Sequence, residues 1–343
     1  MRALILALCA VCLIACQRGA LQQQEAYVFG TRVEVLVADA SQEQGRQAMA
    51  TVLREFDRLH QAYHAWQPSE LTALNTAIAN GQPYRVSPEL AGLIRDAQRI
   101  AATGGHLFDP GIGQLIALWG FQSDEFRPQR PEPKALAAWK AARPSIADLN
   151  VSADFVVTSR KREVALDFGG YLKGWALDRA AALLREQGIR NALINIGGNV
   201  LALGDKHGSP WRVGIQHPRQ PGPLASLELH DGEAIGTSGD YQRFFELEGR
   251  RYPHLIDPRS AEPVSHTQAV TVLIPKGAQS GMLSDVSTKP LFIAGPEAWR
   301  KAAQDQGIQY YLRVDTGGRV QVSVALRTRL EFTDHSIRVE TIE

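Results

Sequence analysis

A diglycine turn with one lysine carries the clearest chemistry in this 343-residue chain. Residues 164–180 hold an apolar stretch that ends at Asp167, then Gly169 and Gly170, and a helical pattern that opens at Lys173. Backbone N–H groups and the helix dipole converge at such a turn, and a lysine adds a positive charge suited to phosphate. The segment therefore predicts a phosphorylated ligand, with a plain strand–turn–helix as the alternative. Neither the P-loop spacing nor the dinucleotide-binding GxGxxG spacing is present.

A histidine and an aspartate follow in residues 235–264, which are predicted to form a strand hairpin. His254 and Asp257 belong to one end of this hairpin and residues 237–241 to the other, so the two ends are expected to lie close in space. A histidine beside a carboxylate is the usual equipment for proton transfer. A structural histidine at a strand end is the alternative interpretation.

Oxygen-bearing side chains crowd residues 284–290, just before an apolar run. They belong to Ser284, Asp285, Ser287 and Thr288. Because Mg²⁺ prefers carboxylate and phosphate oxygens, this turn predicts a magnesium site. The alternative is a helix start with Asp285 as its N-cap.

Two further glycine-containing turns allow a ligand to approach the backbone. In residues 108–113, Phe108 and Asp109 could face a planar ligand, or the segment could be a simple turn into the next helix. Gly197 and Gly198 permit a second close approach, although this pattern is also typical of a hairpin.

The elements that must position these groups alternate irregularly between strand and helix periodicity. Helices are predicted at residues 43–64, 88–103, 134–142, 175–187 and 296–306. Strands are predicted at residues 27–37, 155–158, 163–168, 192–196, 200–203, 211–216, 225–229, 241–247, 269–274, 309–314 and 319–324. Mixed, mainly antiparallel strands with flanking helices predict an α+β fold rather than a doubly wound sheet.

The N-terminus has the pattern of a targeting segment. Arg2 precedes an apolar stretch, residues 3–14, that is too short to span a bilayer, and Ala15 then stands directly before Cys16. This order predicts a bacterial lipoprotein signal with Cys16 as the lipidated residue; an ordinary secretory signal that contains cysteines is the alternative. We therefore expect an exported lipoprotein that faces the periplasm, anchored to the inner or the outer membrane.

The predicted organisation is a signal peptide at residues 1–15, a polar tether at 16–25 and one domain at 26–343, built from two intertwined α+β subdomains. All three cysteines lie within the first sixteen residues, which excludes disulfides, a cysteine-ligated zinc site and a catalytic cysteine in the domain. The net charge of +1 provides no basic footprint, so we expect no nucleic-acid partner and expect lipid to be the membrane anchor.

Taken in order, these motifs resemble the ApbE family of flavin transferases. The resemblance runs from about residue 29 to residue 295. The matching segments are residues 29–31, Trp66, 69–71, 108–109, 166–170 with Lys173 and Gly174, 197–198, 237–241, 254–259 and 284–285. It implies an exported, Mg²⁺-dependent α+β enzyme that uses FAD as its substrate. It also implies transfer of FMN to a threonine or serine hydroxyl of an acceptor flavoprotein, a subunit of a membrane redox complex, with release of AMP.

The resemblance also implies roles for individual residues. The residues implied to line the FAD site are Phe29, Trp66, Leu107, Phe108, Asp109, Asp167, Lys173 and Leu255. The metal is implied to be held by the Gly170 carbonyl and the Asp285 carboxylate, with Thr288 as a further candidate ligand. His254 and Asp257 stand where proton transfer from the acceptor hydroxyl is expected. We hypothesise that His254 is the general base and that Lys173 steadies the diphosphate.

The chain departs from the family pattern at the predicted metal site. Lys289 stands where the family has a threonine, four residues after Asp285. A protonated lysine cannot ligate Mg²⁺, so either its ammonium partly replaces the cation or the loop shifts to use Thr288 or Ser287. Two smaller departures are Gly111 in place of a threonine and an alanine–glutamate pair, residues 261–262, in place of a glycine turn.

Three other functions fit the same residues. An FAD pyrophosphatase would use water in place of the acceptor hydroxyl. A non-catalytic flavin-binding lipoprotein would hold FAD intact, with the Lys289 ammonium where Mg²⁺ would sit. A generic anion-binding lipoprotein would show no affinity for flavin.

Overall fold

A computed structural model describes residues 20–123, 125, 128–333 and 337–343. The predicted signal peptide and the lipidation site Cys16 lie outside these residues. Within them, no helix is both long and apolar enough to cross a membrane.

A nine-stranded sheet forms the centre of the molecule. In chain order the strands are β1 (Gln22–Val28), β2 (Thr31–Ala38), β3 (Tyr84–Arg85), β4 (Leu149–Val151), β5 (Val156–Ser159), β6 (Asn191–Ile196), β7 (Asn199–Leu203), β8 (Trp211–Gln216), β9 (Pro223–Leu229), β10 (Ala234–Gly239), β11 (Phe244–Leu247), β12 (Arg250–Pro253), β13 (Ile256–Asp257), β14 (Glu262–Pro263), β15 (Thr267–Ile274), β16 (Tyr310–Asp315), β17 (Val320–Ser323), β18 (Glu331–Phe332) and β19 (Val339–Ile342). The large sheet has the order β1-β2-β6-β7-β10-β15-β16-β17-β19. Its neighbouring strands are antiparallel except for the parallel pair β17–β19.

Helices and small sheets cover this large sheet. The helices are α1 (Gln42–Ala62), α2 (Glu70–Ala79), α3 (Pro88–Thr103), α4 (Gly113–Leu118), α5 (Pro133–Ala142), α6 (Leu172–Glu186), α7 (Ser280–Val286), α8 (Thr288–Ile293), α9 (Trp299–Asp305) and α10 (Val324–Arg327). The smaller sheets are β3-β5-β4, β18-β9-β8, β11-β12 and β13-β14. This mixed architecture confirms the predicted α+β fold.

Apolar periodicity explains how helix α1 packs on the sheet. Its buried residues include Met49, Val52 and Phe56, at the spacing of one helical face, and the Ser41 side chain caps the helix by accepting from Gln44 N. The alternate valines of β2 are buried in the same core. The opposite face of the sheet packs on β8 and β9 in a second apolar cluster.

Residues 163–168, predicted as a strand, are instead an extended segment without a strand ladder. Ala165 makes one isolated bridge to Ile112, and the side-chain amide of Asn75 takes the place of a neighbouring strand at Leu166. Asn75 Oδ1 accepts from Leu166 N at 2.7 Å, and Asn75 Nδ2 donates to Leu166 O at 2.9 Å. A side chain 91 residues earlier in the chain therefore satisfies the backbone of Leu166, while the backbone of residues 110–113 bonds to Ala165 and Asp167.

The predicted hairpin across residues 235–264 is also different in the structure. Strand β10 pairs with β7 and β15 inside the large sheet, and the hairpin is formed by the later strands β11 and β12. Most residues of β10 are buried. This strand therefore belongs to the central sheet and does not pair with β11, the next strand in sequence. The ends of the motif still meet at the base of this hairpin, where His254 N donates to Arg243 O at 3.0 Å and the Arg251 guanidinium lies 3.9 Å from the Asp240 carboxylate.

The predicted tether, residues 16–25, overlaps strand β1, which begins at Gln22. Half-buried and exposed residues alternate along this edge strand, and the side chain of Gln22 donates to the carbonyl oxygens of Ala40 and Ser41 at 3.2 and 3.1 Å. The glutamines therefore have structural partners, which composition alone could not reveal. The division at residue 26 stays a prediction in its other respects.

Candidate active site

Helices α6 and α7 cross at two glycines and cap each other. A Cβ on Gly174 would lie 2.6 Å from Asp285 Cβ, and one on Gly281 would lie 2.8 Å from Leu177 Cβ, so neither position has room for a side chain. Asp285 Oδ2, on α7, accepts from Gly174 N at 3.0 Å in the first turn of α6. Asp178, on α6, accepts from the amides of Gly281 and the next residue at 2.8 Å each. This crossing fixes Asp285 beside the diglycine turn.

Lys289 occupies the other side of the Asp285 carboxylate. Its ammonium donates to Asp285 Oδ1 and, at 2.7 Å, to Asp285 O. Both side chains are almost fully buried. Burial lowers the pKa of Lys289, the attraction of Asp285 opposes that shift, and the repulsion of Lys173 adds to it.

The other predicted metal ligands lie beside this ion pair. Thr288 Oγ1 donates to Asp285 O at 2.6 Å and shares a 2.7 Å hydrogen bond with Ser238 Oγ. A Cβ on Gly170 would lie 3.3 Å from Lys289 Cε. Two oxygens of Asp285 already contact an ammonium, which would repel a second cation at the same atoms. The described residues therefore do not fit a divalent cation at Asp285 while Lys289 keeps these contacts.

Hydrogen bonds to polar groups in and around the diglycine turn fix its conformation. Asp167 Oδ1 accepts from Gly169 N at 2.8 Å, and Asp167 Oδ2 accepts from Gln122 Nε2 at 3.0 Å. Lys173, in the first turn of α6, donates to Gly169 O at 3.0 Å. The Tyr171 side chain does not cap α6; instead Leu172 N donates to Phe168 O at 2.8 Å and Gly174 N donates to Asp285 Oδ2, so this helix end is already partly capped.

His254 follows the β11–β12 hairpin and packs against an aromatic stack. Its ring lies edge-on to Phe121, with centroids 6.4 Å apart, and Phe121 stacks on Phe245. Nδ1 lies 3.1 Å from Arg243 O. A carbonyl oxygen can only accept, so Nδ1 carries the proton in the neutral ring, and Nε2 is its proton-accepting atom.

Three cations surround this histidine. Burial is the largest cause that lowers the pKa of His254 to about 3, and the positive charges of Arg243, Lys173 and Lys289 lower it further. Like charges gathered around a neutral imidazole are the electrostatic signature of a site for an anion. The structure thus brings together the predicted residues Lys173, His254 and Asp285.

The aromatic wall of the site joins Trp66 to Arg243. The guanidinium carbon of Arg243 lies 5.7 Å from the centre of the Trp66 ring, and its Nη2 donates to Phe121 O at 2.8 Å. Trp66 also contacts His64 edge-on at 4.5 Å, and His64 lies 4.9 Å from His60. Sequence analysis did not single out these histidines or Arg243. Their only signal is proximity to Trp66 and to residues 237–241.

Most of the other residues that are predicted to line the flavin site form an apolar wall. Phe29 adopts a left-handed backbone, with φ of 57°, and lies edge-on to His60 with ring centroids 5.8 Å apart. The buried Phe108 lies next to Gly170. Leu107 and Leu255 belong to the apolar cluster beneath α8 and α9. The roles of these residues as FAD contacts stay predictions.

Asp109 is engaged inside the protein. Its carboxylate accepts from the amides of Gly111 and Ile146 at 2.8 Å each and from Ser145 Oγ, and it contacts His106 Nδ1 at 3.2 Å. The hydrogen bond with Asp109 raises the pKa of His106. The described contacts tie its own loop to residues 145–146.

Asp257 is paired with Arg259 rather than with the predicted base. Its two oxygens accept from the guanidinium, the shortest distance being 2.8 Å, and Oδ1 also accepts from Arg259 N. Arg259 in turn donates to Ile293 O at 3.1 Å. Among the described residues no contact joins Asp257 to His254, so its part in proton transfer stays a prediction.

The two smaller departures from the family pattern have local explanations. The backbone of residues 145–146 fills the space beside Gly111, where any Cβ would collide with Ile146 N. Ala261 has φ of 60°, the left-handed conformation that glycine adopts with least strain, and its carbonyl accepts from Trp119 Nε1 at 3.0 Å.

Comparison with known proteins places this geometry in a family. The ApbE family model matches residues 29–312. A protein of Rhodobacter capsulatus named FAD:protein FMN transferase is 39% identical over 308 residues, which cover 90% of this chain and 58% of that relative. A Klebsiella pneumoniae protein of the same name is 29% identical, with 84% of this chain and 83% of the relative covered. These names agree with the predicted enzyme class, a transferase.

Two solved structures share the fold closely. The ApbE protein of Thermotoga maritima has a TM-score of 0.82 at 26% identity and covers 90% of this chain and 99% of its own. The flavin transferase ApbE of Vibrio cholerae has a TM-score of 0.76 at 26% identity and covers 90% of this chain and 100% of its own. From its sequence, its fold and its motifs, the chain belongs to the ApbE family.

Proposed function

We propose that this protein transfers FMN from FAD to a threonine or serine hydroxyl of an acceptor flavoprotein and releases AMP. The observation that carries the proposal is that Lys173 and Lys289 lie against the diglycine turn, where their charges, with that of Arg243, act on His254. The names of the relatives, FAD:protein FMN transferase, support the same reaction.

The described groups can perform each part of this transfer. The acceptor oxygen forms a bond to the phosphorus of the FMN half, the bond from that phosphorus to the AMP oxygen breaks, and AMP leaves with the electron pair. The hydroxyl proton passes to Nε2 of His254, whose Nδ1–H is fixed by Arg243 O. Lys173 and Arg243 offset the negative charge of the diphosphate, which is the main requirement of phosphoryl-type transfer.

The predicted Mg²⁺ has no step in this proposal. Lys289 already contacts the oxygens of Asp285 that a divalent cation would need. A bound Mg²⁺ would supply charge neutralisation at the diphosphate, and here the lysine and arginine side chains supply it. The reaction is therefore tested both with Mg²⁺ and with a chelator.

A direct test incubates the full-length chain in detergent with FAD and a purified flavoprotein domain that contains an acceptor threonine. We expect AMP by chromatography and covalent FMN on the acceptor by mass spectrometry. AMP with only free FMN would instead identify a pyrophosphatase, and intact FAD in every tube would identify a binding protein. Either result would contradict the proposed transfer.

The base assignment is tested with His254→Asn. We expect transfer to slow by about 10²- to 10⁴-fold, the usual contribution of a general base, while FAD affinity stays close to that of the wild type. His230→Asn is the control, because His230 is an exposed histidine outside the site. Full transfer by the His254 variant would show that the proton leaves by another route.

We also propose that the chain is exported and anchored by lipid on Cys16, facing the periplasm, with its acceptor in a membrane redox complex. The support is the order of Arg2, the apolar stretch and Ala15 before Cys16. Metabolic labelling with a clickable fatty acid should mark the wild type and not Cys16→Ser. Equal labelling of both would argue against the anchor.

A further inference from the structure

Lys289 presents a charged group where the family would hold a metal. We propose that its ammonium takes the place of the divalent cation at Asp285, so that this chain binds the diphosphate of FAD without a metal ion at that position. The inference rests on the proposed function for the identity of the anion. It does not rest on the transfer step.

The geometry of the ammonium supports this role. Two of its three N–H donors point to Asp285 O and Asp285 Oδ1, and within the described residues the third donor is left for a ligand oxygen. The side chain passes closely beside Gly170, where an added Cβ would lie only 3.3 Å from Lys289 Cε. The donor therefore reaches the diglycine turn that receives the diphosphate.

The local charge also supports it. A divalent cation on Asp285 would leave one net positive charge, whereas the Lys289–Asp285 pair is neutral. The positive charges of Lys173 and Arg243 also act on the neighbouring His254. Positive protein groups thus favour a diphosphate diester, which carries two negative charges, at this position.

The scaffold holds the lysine firmly in this position. Lys289 lies four residues after Asp285, and it is buried although it carries a charge. Asp285 is itself fixed by the amide of Gly174 on the crossing helix. Removal of the ammonium would leave a buried carboxylate without its cation, which is the condition under which a metal binds well.

Metal binding by the purified chain tests the proposal without flavin or acceptor. Mn²⁺ is titrated into wild type and Lys289→Thr, and bound ions are counted by electron paramagnetic resonance. We expect no site in the wild type and one site in Lys289→Thr. Lys301→Thr is the matched control, because Lys301 is an exposed lysine paired with Asp305 on α9, and it should behave as the wild type.

FAD binding in the same proteins provides the second readout. The wild type should bind FAD equally well with Mg²⁺ and with EDTA, whereas Lys289→Thr should bind well only with Mg²⁺. With EDTA, Lys289→Met should bind FAD at least about tenfold more weakly than the wild type, as expected when a hydrogen bond from a charged group is lost.

Two results would overturn the proposal. One is a Mn²⁺ site in the wild type that Asp285→Asn removes. The other is a Lys289→Thr protein that matches the wild type both in Mn²⁺ binding and in the effect of Mg²⁺ on FAD affinity. Failure of FMN transfer would count against the proposed function alone, since neither measurement depends on turnover.

Discussion

At the residue scale, His254 combines the position of a base with the electrostatics of a very weak one. Burial and the three neighbouring cations lower its pKa to about 3 in the ligand-free protein. A bound diphosphate would offset the charges of Arg243, Lys173 and Lys289, so it would restore basicity where the acceptor hydroxyl loses its proton. The substrate therefore helps to create the base that acts on its partner.

This coupling predicts a change in the titration of one histidine. Without ligand, the His254 ring protons should not shift between pH 5 and 8, because the ring stays neutral throughout this range. With FAD bound, the pKa of His254 should rise, so the resonance of its ring protons should shift as the pH approaches 5. Nuclear magnetic resonance of histidine-labelled protein measures this, and His254→Asn identifies the signal. An unchanged titration with FAD would show that the diphosphate does not reach the cations.

At the element scale, the crossing of α6 and α7 connects the diglycine turn to Asp285. The closest approaches involve Gly174 and Gly281, where added Cβ atoms would lie within 3 Å of backbone or Cβ atoms of the opposite helix. Helices that approach this closely transmit any displacement directly, because packed interiors cannot absorb the extra volume. The position of Asp285 therefore depends on two residues that carry no functional group.

Alanine at either glycine should separate these helices. We expect Gly174→Ala and Gly281→Ala to lower the free energy of unfolding by about 1–3 kcal/mol, the usual cost of overpacking, and to weaken FAD binding. Gly92→Ala is the control, since Gly92 lies in α3 with open space around it, and it should stabilise the protein by about 0.5–1 kcal/mol. Urea unfolding measures all three. Equal stability of the three variants would mean that the crossing tolerates wider spacing.

Local sequence patterns predict most helices and strands. They cannot predict contacts between residues that are far apart in the sequence. Helix α1, with its Ser41 cap and apolar spacing, and most strands of the sheet follow from neighbouring residues. In place of the strand expected at residues 163–168, the segment bonds to the Asn75 side chain and to the backbone of residues 110–113, and β10 pairs inside the sheet rather than with the next strand. Neither Asn75 nor the strands that pair with β10 can be identified from a short stretch of neighbouring sequence.

The candidate site was predictable to a similar extent. Gly170, Lys173, His254 and Asp285 came from motif types and from the family resemblance, and the structure places them around one turn. The fold of the hairpin brings Arg243 to the site, and no motif spacing in the sequence predicts this position. Only the structure reveals the Lys289–Asp285 contact. The sequence leaves open whether the ammonium replaces the metal or whether a shifted loop supplies another metal ligand.

At the scale of the whole molecule, two buried groups give stability opposite dependences on pH. Burial raises the pKa of Asp178 from 3.8 to about 6. Between these values the folded chain keeps a proton that the unfolded chain releases, so the free energy of unfolding falls as pH rises. The pKa of His254 is lowered from 6.5 to about 3, so the unfolded chain binds the extra proton and stability falls as pH drops.

These two dependences should nearly cancel in the wild type between about pH 4 and 6. Asp178→Asn should reveal the histidine contribution, with stability that falls as pH drops below 6.5. His254→Asn should reveal the opposite slope, with a loss of about 3 kcal/mol as pH rises across the two-unit shift of Asp178. Urea unfolding at several pH values, with His230→Asn as the control, measures the slopes. Parallel curves for the two variants would contradict the assignment.

The mutual capping of α6 and α7 has a consequence for hydrogen exchange. First-turn amides of a helix usually exchange readily, because they have no partner in their own helix. Here the amides of Gly174, Gly281 and Met282 are held by carboxylates from the opposite helix. Solvent deuterium can reach them only when the helices part, so all three should show one common protection factor. The diglycine turn and Asp285 then open as a single cooperative unit, in which the site is either complete or lost as a whole.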